Sequence, residues 1–210
     1  MPNLNIQNGR NSLTAVQKKR ATLAFEKLPV FPNWFPFNDM VFDGYSQVGE
    51  YAGVKTRSWN WDYRGPVLFY NSLRTAKPAV KAYGYENGPS NHKVIIGVGN
   101  LIDVRPLTLA EAKQMLANFN KLPLAEVERI VRDCEELDFS PENVVYRFYN
   151  FGPYIAPLKI GFFFQNLNRF SNPVPFDWPA GPIKPIYIPV SKVAKELKEV
   201  GIDPKTLLTS

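Results

Sequence analysis

The sequence predicts a soluble α+β protein built from a mostly antiparallel sheet or small barrel with peripheral helices. Its 210 residues are 45% hydrophobic and 21% charged, which supplies a core for one domain and excludes a disordered chain. Several strand-length apolar runs are separated by irregular connections. The helical patterns come in blocks instead of alternating with these strands, and that order favours an antiparallel sheet over a parallel one.

Residues 1–50 are predicted to be an N-terminal extension. Leu13, Val16, Arg20 and Leu23 follow helical spacing and predict a basic surface helix near residues 12 to 27. The first 25 residues carry no acid, a pattern also compatible with an organelle transit peptide. We therefore expect a cytoplasmic protein, with organelle targeting as the alternative. The prolines and aromatics between 29 and 36 predict extended, irregular chain.

The strands are predicted from runs of apolar and alternating residues. The first spans Val54 to Tyr63, where Lys55, Arg57, Trp59, Trp61 and Tyr63 would share one face. Further runs predict strands at Pro66–Asn71, Lys93–Val104, Val144–Tyr149, Leu158–Asn166 and Ile186–Ile188.

Three further helices are predicted downstream. Thr108 and Glu111 form a capping-box pattern that opens a helix ending near Asn120. A second helix follows Pro123, with an apolar face of Val127, Ile130, Val131 and Cys134 and a charged outer face. The third is expected to be capped by Ser191, to end at Gly201 and to pack, as residues 191–210, on the main domain.

Composition excludes several kinds of site. One cysteine, Cys134, and one histidine, His92, cannot assemble a structural zinc site. Gly97-x-Gly99 lacks the third glycine and the strand-to-helix setting of a dinucleotide fingerprint. The apolar runs are too short to span a membrane. We therefore expect no metal, no cofactor and no membrane partner.

Positive charge is concentrated in one segment. The net charge is +6, and residues 55–105 contribute most of it. A focused basic excess is what a polyanion-binding surface requires, because phosphates neutralised by cations release counterions. That segment sets eight basic residues against Asp62, Glu86 and Asp103; the basic residues are Lys55, Arg57, Arg64, Arg74, Lys77, Lys81, Lys93 and Arg105.

Three short motifs follow one another along the chain: Gly53-Val54-Lys55-Thr56-Arg57-Ser58-Trp59, Tyr63-Arg64-Gly65-Pro66-Val67-Leu68-Phe69-Tyr70-Asn71-Ser72 and Ile96-Gly97-Val98-Gly99-Asn100-Leu101-Ile102-Asp103-Val104. Their order resembles the ASCH family of the PUA-like superfamily. Phe162-Phe163-Phe164-Gln165-Asn166 and Pro173-Val174-Pro175 resemble the closing strand and its exit. The resemblance covers residues 51–190. It implies a PUA-like small barrel with a cleft beside the first strands, and binding of RNA or a modified nucleobase.

Six residues are candidates for that binding. Lys55, Arg57 and Arg64 would hold phosphates, Trp59 would stack on a base, and Asn71 and Ser72 would hydrogen-bond a base edge. Each also has a structural alternative: the arginines could pair with Asp62 or with carbonyls, the aromatics could be core, and Asn71 and Ser72 could turn the chain.

Two other functions stay open. Some members of the family are nucleases or amidohydrolases that rely on a Lys/Thr/Glu set, and Lys55 and Thr56 match the first two. No acid stands between Lys55 and Arg57, so Glu50, Asp62 or Asp103 would have to reach Lys55. Alternatively, the chain is a protein-interaction module that presents aromatic anchors. Those anchors would be Phe31, Trp34, Phe35 and Phe37, which could instead cover the domain.

Overall fold

The computed structural model describes residues 27–87, 91–135, 160–179 and 184–208, and six of its strands form one sheet. The sheet is mixed and its strand order is linear, β2-β5-β4-β3-β1-β6. The α+β class is confirmed, but the six strands do not close into a barrel, because β2 and β6 stand at opposite edges. The strands are β1 (Lys27–Phe35), β2 (Gly53–Arg57), β3 (Gly65–Thr75), β4 (Val94–Pro106), β5 (Ile160–Pro175) and β6 (Ile186–Pro189).

β1 is an inner strand that the proline pattern did not predict. It pairs antiparallel with β6 over Lys27–Val30 and parallel with β3 from Val30 to Phe35. Each half of β1 therefore has a neighbour mainly on one side. This arrangement accommodates Pro29 and Pro32, since proline has no N–H to donate to a second neighbour. Residues 27–35, assigned above to the N-terminal extension, thus belong to the sheet.

The strand predicted from Val54 to Tyr63 ends early. β2 pairs with β5 from Gly53 opposite Phe164 to Arg57 opposite Ile160, and residues 58–64 are irregular. The alternating aromatics continue past the strand because they pack against an apolar cluster, not because they pair with a neighbour. Of the other predicted strands, β3, β4, β5 and β6 are confirmed, with β3 and β5 extending well beyond their predicted ends.

The sheet carries an apolar core on each face. Along β3, Val67 and Phe69 belong to one cluster, while Leu68 and Tyr70 belong to another. This alternation follows from the two-residue period of a strand. The C-terminal segment covers the Leu68 face, and the aromatics of residues 59–63 cover the other. A third cluster around Met115 and Phe163 lies beneath the helices.

The capping-box helix is confirmed. Thr108 caps a helix from Leu109 to Asn120, and its side chain and that of Glu111 each accept the other's backbone N–H. The helix after Pro123 is also confirmed, with Val127 buried. The α-helices within the described residues are α1 (Phe37–Phe42), α2 (Lys77–Ala82), α3 (Leu109–Asn120), α4 (Leu124–Glu135) and α5 (Ala194–Glu199). The two short helices α1 and α2 were not predicted.

The predicted cap of the C-terminal helix is wrong. Ser191 lies within a 3-10 turn, Val190–Lys192, and the residue before α5 is Val193, which makes no side-chain cap hydrogen bond. Val193 and Leu197 are fully buried. Burial of these two residues, and not a hydroxyl cap, therefore positions α5.

Two predicted elements, the basic helix near 12 to 27 and the strand Val144–Tyr149, fall outside the described residues. None of the helices in the described ranges is long and apolar enough to cross a membrane.

Candidate nucleic-acid interface

Lys55 lies inside the protein. Its side chain projects from β2 toward α1, where Nζ donates to the Phe37 carbonyl and to Asn38 Oδ1, both at 2.9 Å. Only 5% of the residue is exposed. Burial, helped by the charge of Arg57, lowers the pKa of Lys55 well below its ordinary value, and the charge of Asp39 opposes that shift. Lys55 therefore joins β2 to α1 and does not face solvent.

Asp39 is the centre of a buried polar cluster. One carboxylate oxygen accepts from Arg169 Nη1 at 2.8 Å and from Asn91 Nδ2 at 3.2 Å, and the other accepts from Asn71 Nδ2 at 2.6 Å. Because Asn38 and Asp39 are adjacent, α1 links predicted site residues Lys55 of β2 and Asn71 of β3. The Oδ1 atom of buried Asn71 has no hydrogen-bond partner within the part of the chain that is described.

Arg57 and Trp59 lie together on the aromatic face of the sheet. The Arg57 guanidinium donates to the Pro32 carbonyl at 3.0 Å and lies 4.5 Å from the Phe31 ring centre. Trp59 packs edge-on against Phe162 with ring centres 5.0 Å apart. Arg57 thus satisfies a β1 carbonyl, as the structural alternative expected.

Ser72 and Thr56 are half-buried. The Ser72 hydroxyl accepts from the Arg74 backbone N–H at 3.3 Å. The backbone carbonyl of Ser72 lies 3.2 Å from His92 Nδ1. The acceptors of Lys55 Nζ are Phe37 and Asn38 and not Glu50, Asp62 or Asp103; Asp103 pairs with Arg105 at 3.0 Å. Asp39, which was not among the predicted site residues, is the carboxylate whose charge acts on Lys55.

Arg64 lies at the rim of a groove. Its guanidinium donates to the carbonyls of Trp61 at 3.0 Å and Tyr63 at 2.9 Å, and approaches Asp103 at 3.5 Å. These bonds hold the irregular chain before β3. Gly65 follows with φ of 126°, a conformation that other residues rarely adopt, and it turns the chain into β3.

The groove has a volume of about 850 Å³. It runs across the first residues of β3, the middle of β4 and β5, and the β6 edge. Two tyrosines stand in it, Tyr63 and Tyr187, with ring centres 6.5 Å apart and planes at 84°. Its polar lining comes from Lys27, Arg64, Asn100, Asn166 and Asn168, and none of the described residues that line it is acidic.

Irregular pairing between β4 and β5 shapes this groove. Their register shifts between Val98 and Asn100 and again between Leu101 and Asp103. Asn166 adopts a φ of 50°, and its carbonyl accepts from Asn168 Nδ2 at 2.8 Å. Such bulges bend a strand and re-aim its side chains, which brings asparagines from two strands to one place.

The two tyrosines differ in hydrogen bonding and in exposure to solvent. Tyr63 donates to the Pro66 carbonyl at 2.8 Å, and burial together with Tyr187 raises the pKa of Tyr63 to about 12. Its hydroxyl is therefore protonated at neutral pH. Tyr187 is 50% exposed and offers a ring to solvent.

The structure thus divides the predicted site. Lys55 and Asn71 meet in the buried cluster, Arg57 and Trp59 lie on the aromatic face, and Arg64 alone reaches the groove. Sequence reasoning missed Asn38, Asp39 and Arg169, although a polar pair inside an aromatic run was a usable signal for the first two. It also missed Tyr187 and the three asparagines of the groove, which are brought together only by the strand order.

No family model matches this chain, and a search of curated proteins finds no match to it. Within the described ranges no group of three or more His, Cys, Asp or Glu side chains is placed to hold a metal ion.

Proposed function

We propose that this protein binds RNA or a nucleobase-containing ligand in the groove at Tyr63, Arg64 and Tyr187. The observation that carries the proposal is the groove's lining, which combines aromatic rings, carboxamides and cations with no acid among the described residues. Its volume, about 850 Å³, falls within the range of small-ligand sites, roughly 300 to 1,000 Å³.

Each lining group suits one part of a nucleotide. A tyrosine ring stacks on a base, whichever base it is. The carboxamides of Asn100, Asn166 and Asn168 each carry a donor and an acceptor, as base edges do. Lys27 and Arg64 supply positive charge for a phosphate. The exposed ring of Tyr187 is the natural stacking platform, since Tyr63 is held by its own hydrogen bond.

The resemblance of residues 51–190 to the ASCH family supports the same class of ligand. We also propose that the protein belongs to the PUA-like superfamily. Its open sheet would then be a variant of the superfamily's small barrel. The site differs from the one predicted at Lys55, because that side chain is committed to α1.

The test is binding of short fluorescent single-stranded RNA, double-stranded RNA and single-stranded DNA over a salt series. Tyr187→Ala should weaken single-stranded RNA binding by about 5- to 150-fold, since stacking contributes roughly 1–3 kcal/mol per base. Tyr187→Phe should bind like the wild type because it keeps the ring. Lys27→Ala should lower the salt dependence, whereas Lys192→Ala, an exposed lysine outside the groove, should not.

RNA binding that Tyr187→Ala leaves unchanged would contradict the groove as the site. If no polynucleotide binds, calorimetric titration with nucleosides and nucleotides separates a small ligand from none. Failure of every nucleobase compound would overturn the proposed function.

Hydrolysis is a second candidate, and the lowered pKa of Lys55 beside Asp39 is the observation that favours it. A lowered pKa makes the Lys55 ammonium a better proton donor than that of an ordinary lysine, which is what general acid catalysis requires. The same RNAs, recovered after incubation and analysed by length, test ribonuclease activity. An acylated nucleoside followed by chromatography tests amidohydrolase activity.

A further inference from the structure

A second cavity, of about 670 Å³, lies on another part of the protein. Its walls are the turn after α1, the residues that follow α2, and the C-terminal end of α3. We call it the tyrosine cavity, because Tyr45, Tyr83 and Tyr85 all line it. It shares no residue with the groove described above.

The three tyrosines supply aromatic surface from two different segments. The rings of Tyr45 and Tyr83 lie 5.1 Å apart with planes at 73°, so they meet edge to face. The Tyr85 hydroxyl donates to Asp43 Oδ2. Burial raises the pKa of Tyr83 to about 12, and burial and Asp43 raise the pKa of Tyr85 further still. The hydroxyls of Tyr83 and Tyr85 therefore stay protonated at physiological pH.

Local dipoles at the cavity favour a cation. The Asp43 carboxylate is 41% exposed, but its charge is already paired with Arg169 at 2.8 Å. The last turn of α3 ends at this cavity, with Ala117 and Asn118 in its wall. The carbonyl end of a helix carries partial negative charge. Aromatic faces add to this, because the ring quadrupole attracts positive charge.

One ring face already receives an ammonium group from the protein itself. Lys121 Nζ lies 5.8 Å from the Tyr45 ring centre, and Lys121 is exposed at the end of α3. An exposed lysine is a weak occupant, because its ammonium is strongly hydrated. The Lys121 ammonium shows where a cation lies against the rings, and a bound ligand would have to displace it.

The nature of the cation follows from the state of Asp43. Its carboxylate already accepts from Tyr85 on one oxygen and, at 2.8 Å, from Arg169 Nη2 on the other, so a primary ammonium would have to compete with these two donors. Ring faces hold charge without hydrogen bonds. We propose that the tyrosine cavity binds a methylated organic ammonium group, which has charge but no need of acceptors.

The test is calorimetric or NMR titration with choline, tetramethylammonium and trimethyl-lysine, using 3,3-dimethylbutanol as a neutral ligand of the same shape as choline. The methylated cations should bind and the neutral alcohol should not. Tyr83→Leu should weaken binding by about tenfold, while Tyr83→Phe should retain it. Lys121→Ala should strengthen binding, because it removes the competing ammonium.

Binding of the alcohol as tightly as choline would overturn the proposal, because the cavity would then be merely apolar. Failure of all three cations to bind at millimolar concentrations would overturn it as well. Preference for trimethyl-lysine over choline would point to a methylated protein as the source, and the reverse to a small metabolite or lipid headgroup. Circular dichroism of each variant checks that it is folded, and Tyr83→Phe and Lys121→Ala keep the proposal testable if Tyr83→Leu unfolds.

Discussion

At the scale of single residues, the buried cluster around Asp39 depends on complete pairing. Asp39 is 2% exposed, and it is held by donors from β3, from the chain before β4 and from β5. A buried charge is tolerated because such partners replace water. Removing the carboxylate leaves the Asn71 amide without its acceptor and takes from Arg169 one of its two carboxylate partners, the other being Asp43.

Asp39→Ala should therefore destabilise the protein by roughly 1–3 kcal/mol, the usual cost of leaving a buried hydrogen-bonding group without its partner. Urea unfolding followed by fluorescence measures this cost. Asp177→Ala is the matched control, because Asp177 pairs with Lys93 at 2.6 Å but is 89% exposed. The control should leave the midpoint almost unchanged. Equal effects of the two substitutions would contradict the central role of Asp39.

The sequence could identify candidate residues but not the residues that contact them in the fold. Lys55 and Asn71 stood out as polar side chains in strand patterns, and both do belong to one cluster. Their partners Asn38 and Asp39 are distant along the chain and lie in a helix of six residues, which is too short to show a period. Arg64 was predicted as a cation of a cleft and lies at one, but the tyrosine opposite it, Tyr187, comes from the last strand.

At the scale of elements, α3 is held at its start by one carboxylate. Glu111 accepts from the Thr108 backbone N–H and hydroxyl, both at 2.9 Å, and pairs with Arg105 of β4 at 2.6 Å. It therefore completes the helix cap and also ties the helix to the sheet. These bonds, that of Arg105 first, lower the pKa of Glu111 from 4.5 to about 2.

Glu111→Gln should cost about 1–2 kcal/mol at neutral pH, because it removes the charge while leaving an acceptor for the cap. The folded pKa lies below the unfolded value, so the unfolded chain binds more protons between them. The stabilisation by Glu111 is therefore complete above pH 4.5 and is lost as the pH falls toward 2. Urea unfolding from pH 7 to 2.5 should show the two proteins converging in acid.

Glu128→Gln, an exposed glutamate on α4, is the control for that experiment and should follow the wild type throughout. A constant gap between wild type and Glu111→Gln across the pH range would show that the charge of Glu111 contributes nothing.

Elements were predictable where local signals determine them. The capping box located α3, and apolar runs located β3, β4 and β5. Strand pairing could not be predicted, because no local sequence pattern shows which strands are neighbours in the sheet. β2 ends at Arg57 although the alternation continues to Tyr63, because packing on Phe31 and Phe162 produces the same period as a strand. The parallel direction of β1 beside β3 likewise has no local signature.

At the scale of the whole molecule, the two faces of the sheet are coupled through shared strands. The four tryptophans report on separate regions: Trp59 and Trp61 on one face, Trp178 on the other, and Trp34 beneath the helices. Because β3 contributes to both faces, neither face can lose its packing alone.

We expect one unfolding transition at every tryptophan. In each variant, one region keeps its tryptophans and those of the other regions are changed to phenylalanine. Within each variant, the urea midpoint measured by fluorescence should equal the midpoint measured by far-ultraviolet circular dichroism. Fluorescence and circular dichroism midpoints that separate in any variant would show that the faces unfold independently.

At this scale, the basic excess of the chain is divided between the fold and the groove. The basic excess of residues 55–105 predicted one cationic surface, yet Lys55 is buried, Arg57 donates to Pro32 and Arg105 is bound by Glu111. Much of that charge therefore maintains the fold. The proposed binding of a polyanion would depend on the fewer cations that line the groove.

The split pairing of β1 has a consequence for the order of assembly during synthesis. Its second half can pair as soon as β3 has left the ribosome, but Lys27–Val30 must wait for β6, close to the other end of the sequence. Contacts between such distant segments form slowly. A nascent chain halted before residue 186 would thus carry β1 with an unoccupied edge, a surface on which a chaperone could act.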